Sequence, residues 1–168
     1  MRDVLAQLSV HSEVRTGYER TKLRHWAGAD RDGCTTRAEV LKAEAVIAPE
    51  QGERCELTRG EWYSPCDDRH IARPGGLGID HLVPLAEAWD AGASASSARE
   101  QEAYASGLGD ERALIAASTA SNRSKADHDP ATWLPPAAAC RCQFVTDWSA
   151  DKSRWGLSIH TVVLDSLA

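Results

Sequence analysis

Ile79-Asp80-His81-Leu82-Val83-Pro84-Leu85 is the stretch on which the reading of this chain turns. Leu77 to Val83 reads as a short strand whose aliphatic run is broken by an acid and an imidazole. Pro84 fits the first turn of a helix, where its missing N–H is no loss, and Leu85, Ala86, Ala88 and Trp89 continue that helix. Neighbouring residues on a strand point to opposite sides. Asp80 is thereby placed to hold a hard cation while His81 faces a substrate.

A second stretch, Ser121-Asn122-Arg123-Ser124-Lys125-Ala126-Asp127-His128-Asp129-Pro130, supplies the complement. Before it, Ala113 to Ala117 reads as a second short strand, which periodicity alone does not separate from buried helix. Ser118, Thr119 and Ser121 are cap residues for a helix that carries Asn122, Arg123 and Lys125. Asn122 on its first turn adds a neutral oxygen ligand. A site with one or two protein oxygens suits Mg²⁺ or Mn²⁺, with water and phosphate completing the shell. His81, titrating near neutrality, is the group to deprotonate a water for attack on phosphorus. Arg123 and Lys125 would meet phosphate oxygens. Arg37 either reaches the same phosphate or pairs with a carboxylate. Taken singly, an Asp-His pair is usually satisfied in a core or on a surface, and Asn-Arg-x-Lys is usually a solvated helix start. Their joint presence, with Pro84 behind one and Asp127 behind the other, points to chemistry.

At these residues the sequence resembles the HNH nucleases, which share a ββα-metal core. It looks most like the branch whose domain also ends the GmrSD type restriction enzymes, and like the small exported HNH proteins of actinomycetes. The resemblance covers most of the chain. It includes Asp32-Gly33-Cys34-Thr35-Thr36-Arg37-Ala38-Glu39-Val40-Leu41, Ala86-Glu87-Ala88-Trp89, Asn122-Arg123-Ser124-Lys125 and Asp129-Pro130-Ala131-Thr132-Trp133-Leu134-Pro135. Asp80-His81 followed by Asn-Arg-x-Lys also looks like the HNH domain of RNA-guided CRISPR effectors. The resemblance implies a general-base role for His81, metal ligation by Asp80 and Asn122, and DNA as the usual substrate. Some branches accept Zn²⁺ or Ni²⁺. Two features depart from the pattern. The family usually has an asparagine nine positions before the metal-binding one, where its side chain braces the loop that orients the base; here that residue is Ala113. Cys66 and Cys142 stand where other residues, often aromatic, are expected.

Composition sets the frame. The chain has 168 residues, is 42% hydrophobic and 26% charged, and reads as a single domain over 1–168, which excludes a disordered or fibrous protein. Net charge is −6, so a basic surface over the whole chain is excluded and DNA contact is expected through a local patch, with about three to five phosphate contacts, weak sequence preference and a shallow salt dependence. No stretch has the length of a transmembrane helix. The first ten residues, with Arg2 and Asp3, lack the apolar core of a signal peptide, and Met1 is the only methionine, as expected of a start placed before a trimmed mature domain. The cysteines are Cys34, Cys55, Cys66, Cys140 and Cys142, an odd number without a C-x-x-C pair. Buried thiols, one or two disulfides, and structural zinc are the alternatives, with Cys34–Cys55 the preferred pair. The cysteines and the resemblance favour an extracellular protein, with a cytoplasmic one as the alternative.

The remaining segments read more plainly. Val4, Leu5 and Leu8 share a helical face, and Tyr18, Lys22 and Trp26 follow helical spacing. Ala29 to Gly33 is a turn, and Thr36 with Glu39 makes a capping box for a helix whose apolar side is Val40, Leu41, Ala45 and Val46, ended by Pro49 and Gly52. Gly28, Asp30, Asp32 and Glu39 only partly match a calcium loop, and a structural turn explains them better. Cys55 to Thr58 and Glu61 to Tyr63, around Arg59-Gly60, read as a hairpin. Arg69, His70 and Arg73 are either a solvated loop or a contact to the DNA backbone. His128 reads as a surface residue, and the six tryptophans as core and interface material. Ser94 to Ser106 reads as helix and loop, Ala137 to Trp155 as a helix and Ser158 to Leu167 as a last one.

The expected fold is therefore α+β, mostly helical, with a small ββα-metal core and a short β-hairpin. The expected function is a divalent-metal-dependent endonuclease that hydrolyses DNA phosphodiester bonds. The alternatives are a catalytically weak nucleic-acid-binding domain of the same fold, suggested by Ala113, and an extracellular structural domain held by disulfides.

Overall fold

Leu77 and Ile79 alternate with Gly78 and Asp80 along one strand, and that alternation organises the centre of the molecule. The computed structural model describes Leu5 and residues 7–23, 32–107, 110 and 112–167. The strands, in chain order, are β1 (Ala45–Ile47), β2 (Glu50–Gln51), β3 (Leu57–Thr58), β4 (Glu61–Ser64), β5 (Arg69–Ile71), β6 (Leu77–His81) and β7 (Leu114–Ser118). The helices are α1 (Thr36–Ala43), α2 (Leu85–Asp90), α3 (Ala98–Ala105), α4 (Thr119–Lys125), α5 (Arg141–Arg154) and α6 (Thr161–Leu167), with short 3-10 turns between several of them. The architecture is α+β, as expected.

β6 and β7 pair antiparallel, from Leu77 opposite Ser118 to His81 opposite Leu114, although α2 and α3 lie between them in the chain. Leu77 and Ile79 from β6 and Leu114 and Ala116 from β7 face a small core completed by Val40 and Leu41 of α1 and by Trp62. Past His81 the chain bends and enters a larger core with Leu82, Val83, Leu85, Trp89, Tyr104, Phe144 and Trp148. The end of β6 thus lies at the seam between two cores. α4 follows β7 directly: Ser118 is its N-cap, and its Oγ accepts from the Ser121 N–H at 3.1 Å.

Several expectations are corrected. The helical spacing of Tyr18 and Lys22 does not make a helix: Tyr18 lies outside regular helix, and Arg20–Lys22 is a 3-10 turn. Val4, Trp26, residues 29–31 of the expected turn and Gly28 and Asp30 of the calcium-like loop lie outside the described residues. The cap of α1 is Thr35, one residue earlier than Thr36, and its Oγ1 accepts from Ala38 N–H at 3.3 Å. The helix stops at Ala43, and Ala45–Ile47 leaves as a strand because Val46 and Ile47 are β-branched and find a partner in β4. The expected hairpin around Arg59-Gly60 does not form. β3 pairs with β2, while β4 is the middle strand between β1 and β5. Trp62 decides this, being fully buried on β4 with its Nε1 donating to the Leu41 carbonyl at 2.6 Å.

Cys34 and Cys55 form a disulfide, the pairing preferred from the sequence, with Cα atoms 5.2 Å apart. It ties the approach to α1 to the strand region, and closing a loop of this length is worth about 3 kcal/mol. A second buried tie is ionic. Lys152 donates to Glu87 at 2.6 Å and lies 4.5 Å from the centroid of the Trp148 ring, which holds α5 against α2.

Candidate active site

The strand repeat of two and the helix repeat near four meet at the end of β6. Gly78 and Asp80 lie on one face of the strand, and Asn122 and Lys125, three apart, lie on one face of α4. The result is two contacts. The Asn122 side chain packs directly over Gly78, where a Cβ would collide with it, so glycine is what lets the amide approach the strand. One step along, Lys125 Nζ donates to Asp80 Oδ1 at 2.8 Å and to the His81 carbonyl oxygen at 2.7 Å.

Asp80, His81 and Asn122 line one cavity of about 350 Å³, together with Arg20, Arg37, Pro84, Leu85 and Asp127. The expectation that Asp80 and His81 point to opposite sides is modified here. β6 ends at His81 and the chain bends at Leu82-Val83, and Asp80 and His81 both line the same cavity. The bend is fixed by Tyr104, whose hydroxyl donates to the Val83 carbonyl at 2.5 Å. His81 Nε2 lies 2.9 Å from the carbonyl oxygen of Ala105. A carbonyl only accepts, so Nε2 carries a proton, and in the neutral imidazole the lone pair is then on Nδ1. Ala113, where the family pattern has a bracing asparagine, gives the site only its backbone: its carbonyl accepts from Leu82 N–H at 3.0 Å. The ring of His81 is held instead by the end of α3.

The other expected site residues are distributed as follows. Arg37 lines the cavity, but its Nη2 donates to the carbonyls of Pro74 and Leu77, both at 2.9 Å, so it pins the loop that enters β6. Burial pushes its guanidinium below its usual value. Its partners there are backbone oxygens and not the carboxylate that was the alternative to phosphate. Arg123 is exposed and outside the cavity lining. Lys125, expected at a phosphate, is 1% exposed and committed to Asp80, because position 125, three after Asn122, falls on the buried side of α4 while Arg123 and Ser124 face out. Burial raises the Asp80 carboxyl above the ordinary carboxylate range, with Lys125 opposing that rise.

Asp80 and Asn122 fit a hard divalent cation by donor chemistry: one carboxylate and one amide oxygen on a polar cavity, the sparse set that Mg²⁺ or Mn²⁺ completes with water. The buried charge of Asp80 also favours a cation beside it, and Lys125 already supplies one. Among the described residues, two other groupings of possible ligands lie elsewhere: Asp32 with Cys34 and Cys55, and Glu13 with Glu87 and Asp90. The first is tied up in the disulfide, and in the second Glu87 and Asp90 are bonded to Lys152 and Arg15. His128 is exposed and lies 3.1 Å from the Thr132 hydroxyl, as a surface residue. His70 is on β5, 2.8 Å from Glu61, which leaves that basic cluster partly neutralised.

Sequence reasoning missed the carbonyl of Ala105, the Tyr104 hydroxyl and the Asp80–Lys125 pair. Only the last left a signal, in the matched spacings 78 and 80 on the strand and 122 and 125 on the helix.

The chain is 31% identical over 165 residues to an uncharacterized secreted protein of Arthroderma benhamiae (strain ATCC MYA-4681 / CBS 112371), an alignment that covers 98% of this chain and 79% of the fungal one. No protein-family model matches the chain, and no solved structure matches it.

Proposed function

For a chain that belongs to one family with the secreted protein of Arthroderma benhamiae, we propose a divalent-metal-dependent endonuclease of the HNH type, acting on DNA outside the cell. One observation carries this reading: Asp80, His81 and Asn122, from a strand and from the helix after its partner strand, line a single polar cavity with Arg37. The relative is described as secreted. Secretion of this chain accords with the Cys34–Cys55 disulfide, which persists in oxidising surroundings. No described helix is long and apolar enough to cross a membrane.

In this reading His81 is the general base. The Ala105 carbonyl fixes its tautomer, and Nδ1 takes the proton of a water attacking phosphorus. Asp80 and Asn122 would hold the cation, Mg²⁺ or Mn²⁺, which would supply neutralisation of charge on the phosphoryl oxygens and on the leaving oxygen. Arg37, already bonded to two carbonyls, acts first as a positioning residue for β6. Arg123, exposed on the same helix as Asn122, is the better cation for the DNA backbone.

The test is nicking of supercoiled plasmid with Mg²⁺, with Mn²⁺ and with EDTA, beside His81→Ala. Nicking that needs metal and disappears in the variant supports the enzyme. A second reading, a nucleic-acid-binding domain with weak catalysis, is favoured by Lys125 occupying Asp80 Oδ1 and by alanine at position 113. DNA binding without nicking supports that one. Neither binding nor nicking overturns both and leaves a disulfide-held structural domain.

A further inference from the structure

A second cavity, of about 770 Å³, shares no lining residue with the candidate active site, and two cysteines line it. It is lined by Pro65, Leu82, Ile115, Ala137 and Phe144, and by both Cys66 and Cys140. Neither is in the Cys34–Cys55 disulfide, and each lies close enough to the other to perturb its thiol. The backbone holds them there. Ala137 N–H donates to the Cys66 carbonyl at 2.9 Å, and Cys140 N–H donates to the Ala137 carbonyl at 3.0 Å, so Cys140 closes a turn that is itself anchored on Cys66. The Cys66 side is rigid as well. Asp67 accepts from the hydroxyls of Ser64 and Ser118, and Ser64 Oγ accepts from Ser118 N–H at 2.9 Å, which fastens the β4–β5 turn to the start of α4.

We propose that Cys66 and Cys140 are the second disulfide of this protein, formed in an oxidising compartment and leaving Cys142 as the odd thiol. The argument from geometry is that the two cysteines line one cavity and that a pair of backbone hydrogen bonds through Ala137 ties the segment of one to the segment of the other. Cys142 does not compete. It stands two residues further along, on the first turn of α5, where side chains at i and i+2 face different sides, and it is exposed.

The oxidant is a small or protein disulfide, with oxidised glutathione as the working case. Cys140, the more exposed of the two, attacks one sulfur of oxidised glutathione as its thiolate and releases one glutathione. The Cys66 thiolate then attacks Cys140 Sγ, breaks the mixed disulfide and releases a second glutathione. One disulfide is reduced and one pair of thiols is oxidised, and the two protons given up by the protein end on the two glutathiones. The crosslink would close the segment 66–140, which contains β6, β7 and α4 and with them Asp80, His81 and Asn122.

The experiment uses the folded full chain, equilibrated with oxidised and reduced glutathione, quenched in acid, unfolded and alkylated without reduction before peptide mass mapping. The expected result is label lost from Cys66 and Cys140, a crosslinked peptide joining them, and label retained at Cys142. Cys142→Ser, an exposed change, is expected to leave that crosslink in place. Label retained at Cys66 or Cys140, or Cys66 joined to Cys142, overturns the proposal. The outcome is independent of whether the protein cuts DNA.

Discussion

Lys125 Nζ lies 2.8 Å from Oδ1 of Asp80, and the two side chains are only 1% and 6% exposed. A charge of either sign is costly at such depth, so each group is tolerable because of the other. The same ammonium also caps the His81 carbonyl at the end of β6, so one helix residue fixes both members of the Asp-His pair.

Lys125→Met should therefore remove about 3–5 kcal/mol of stability by leaving the Asp80 charge buried and alone. Urea denaturation of the variant measures this directly. Lys125→Met combined with Asp80→Leu should recover most of the loss, since an apolar pair no longer has a charge to bury. A loss under about 1 kcal/mol in the single variant would mean that water reaches the pair as it does at a surface.

Gly78→Ala should cost about 1–3 kcal/mol, the range for adding a methyl where there is no room. The added carbon meets the Asn122 amide, so the amide must move off the strand. Under the nuclease reading, nicking should fall by more than the fraction of protein unfolded at the assay temperature. Parallel melting and plasmid assays on the same preparation separate the two effects.

Glu44 gives the protein a pH-dependent element behind β7. Its Oε2 accepts from Ala116 N–H at 2.8 Å, and burial pushes its carboxyl up to about 7 from 4.5, with that bond pulling the other way. A raised carboxyl value means that the folded chain holds the proton more tightly than the unfolded one. Its contribution to stability is then complete below 4.5 and is lost as pH rises through 7. Asp151, pushed by burial up to about 6, acts in the same direction. Glu44→Gln should raise the melting temperature at about pH 8 and change it little at pH 4.5. An equal shift at both pH values would remove Glu44 as the source.

Much of the centre is legible because its signals are local. The strand at Leu77, the helix that carries Asn122 and its serine cap follow from residue type and spacing within a few positions, while the strand at Leu114 is settled only by its pairing with β6. The segment 45–64 is not, because its outcome is decided at a distance. Val46 and Ile47 satisfy a helical stripe as well as a strand, and the choice between them falls to Trp62, which sits on β4 and is completely buried. Nothing within reach of Arg59-Gly60 says that its two flanking strands belong to different sheets.

The site divides in the same way. Sequence by itself determined which groups can do chemistry: an acid beside an imidazole on a strand, an amide on a helix start, and a cysteine pair at the right separation to close a loop. Tertiary structure decided which partner each group has: Lys125 for Asp80, and the Ala105 carbonyl for His81. The physical reason is that a side chain's type and local spacing fix what it can bond, whereas the identity of its partner depends on backbone atoms and distant residues that only packing brings within about 3 Å.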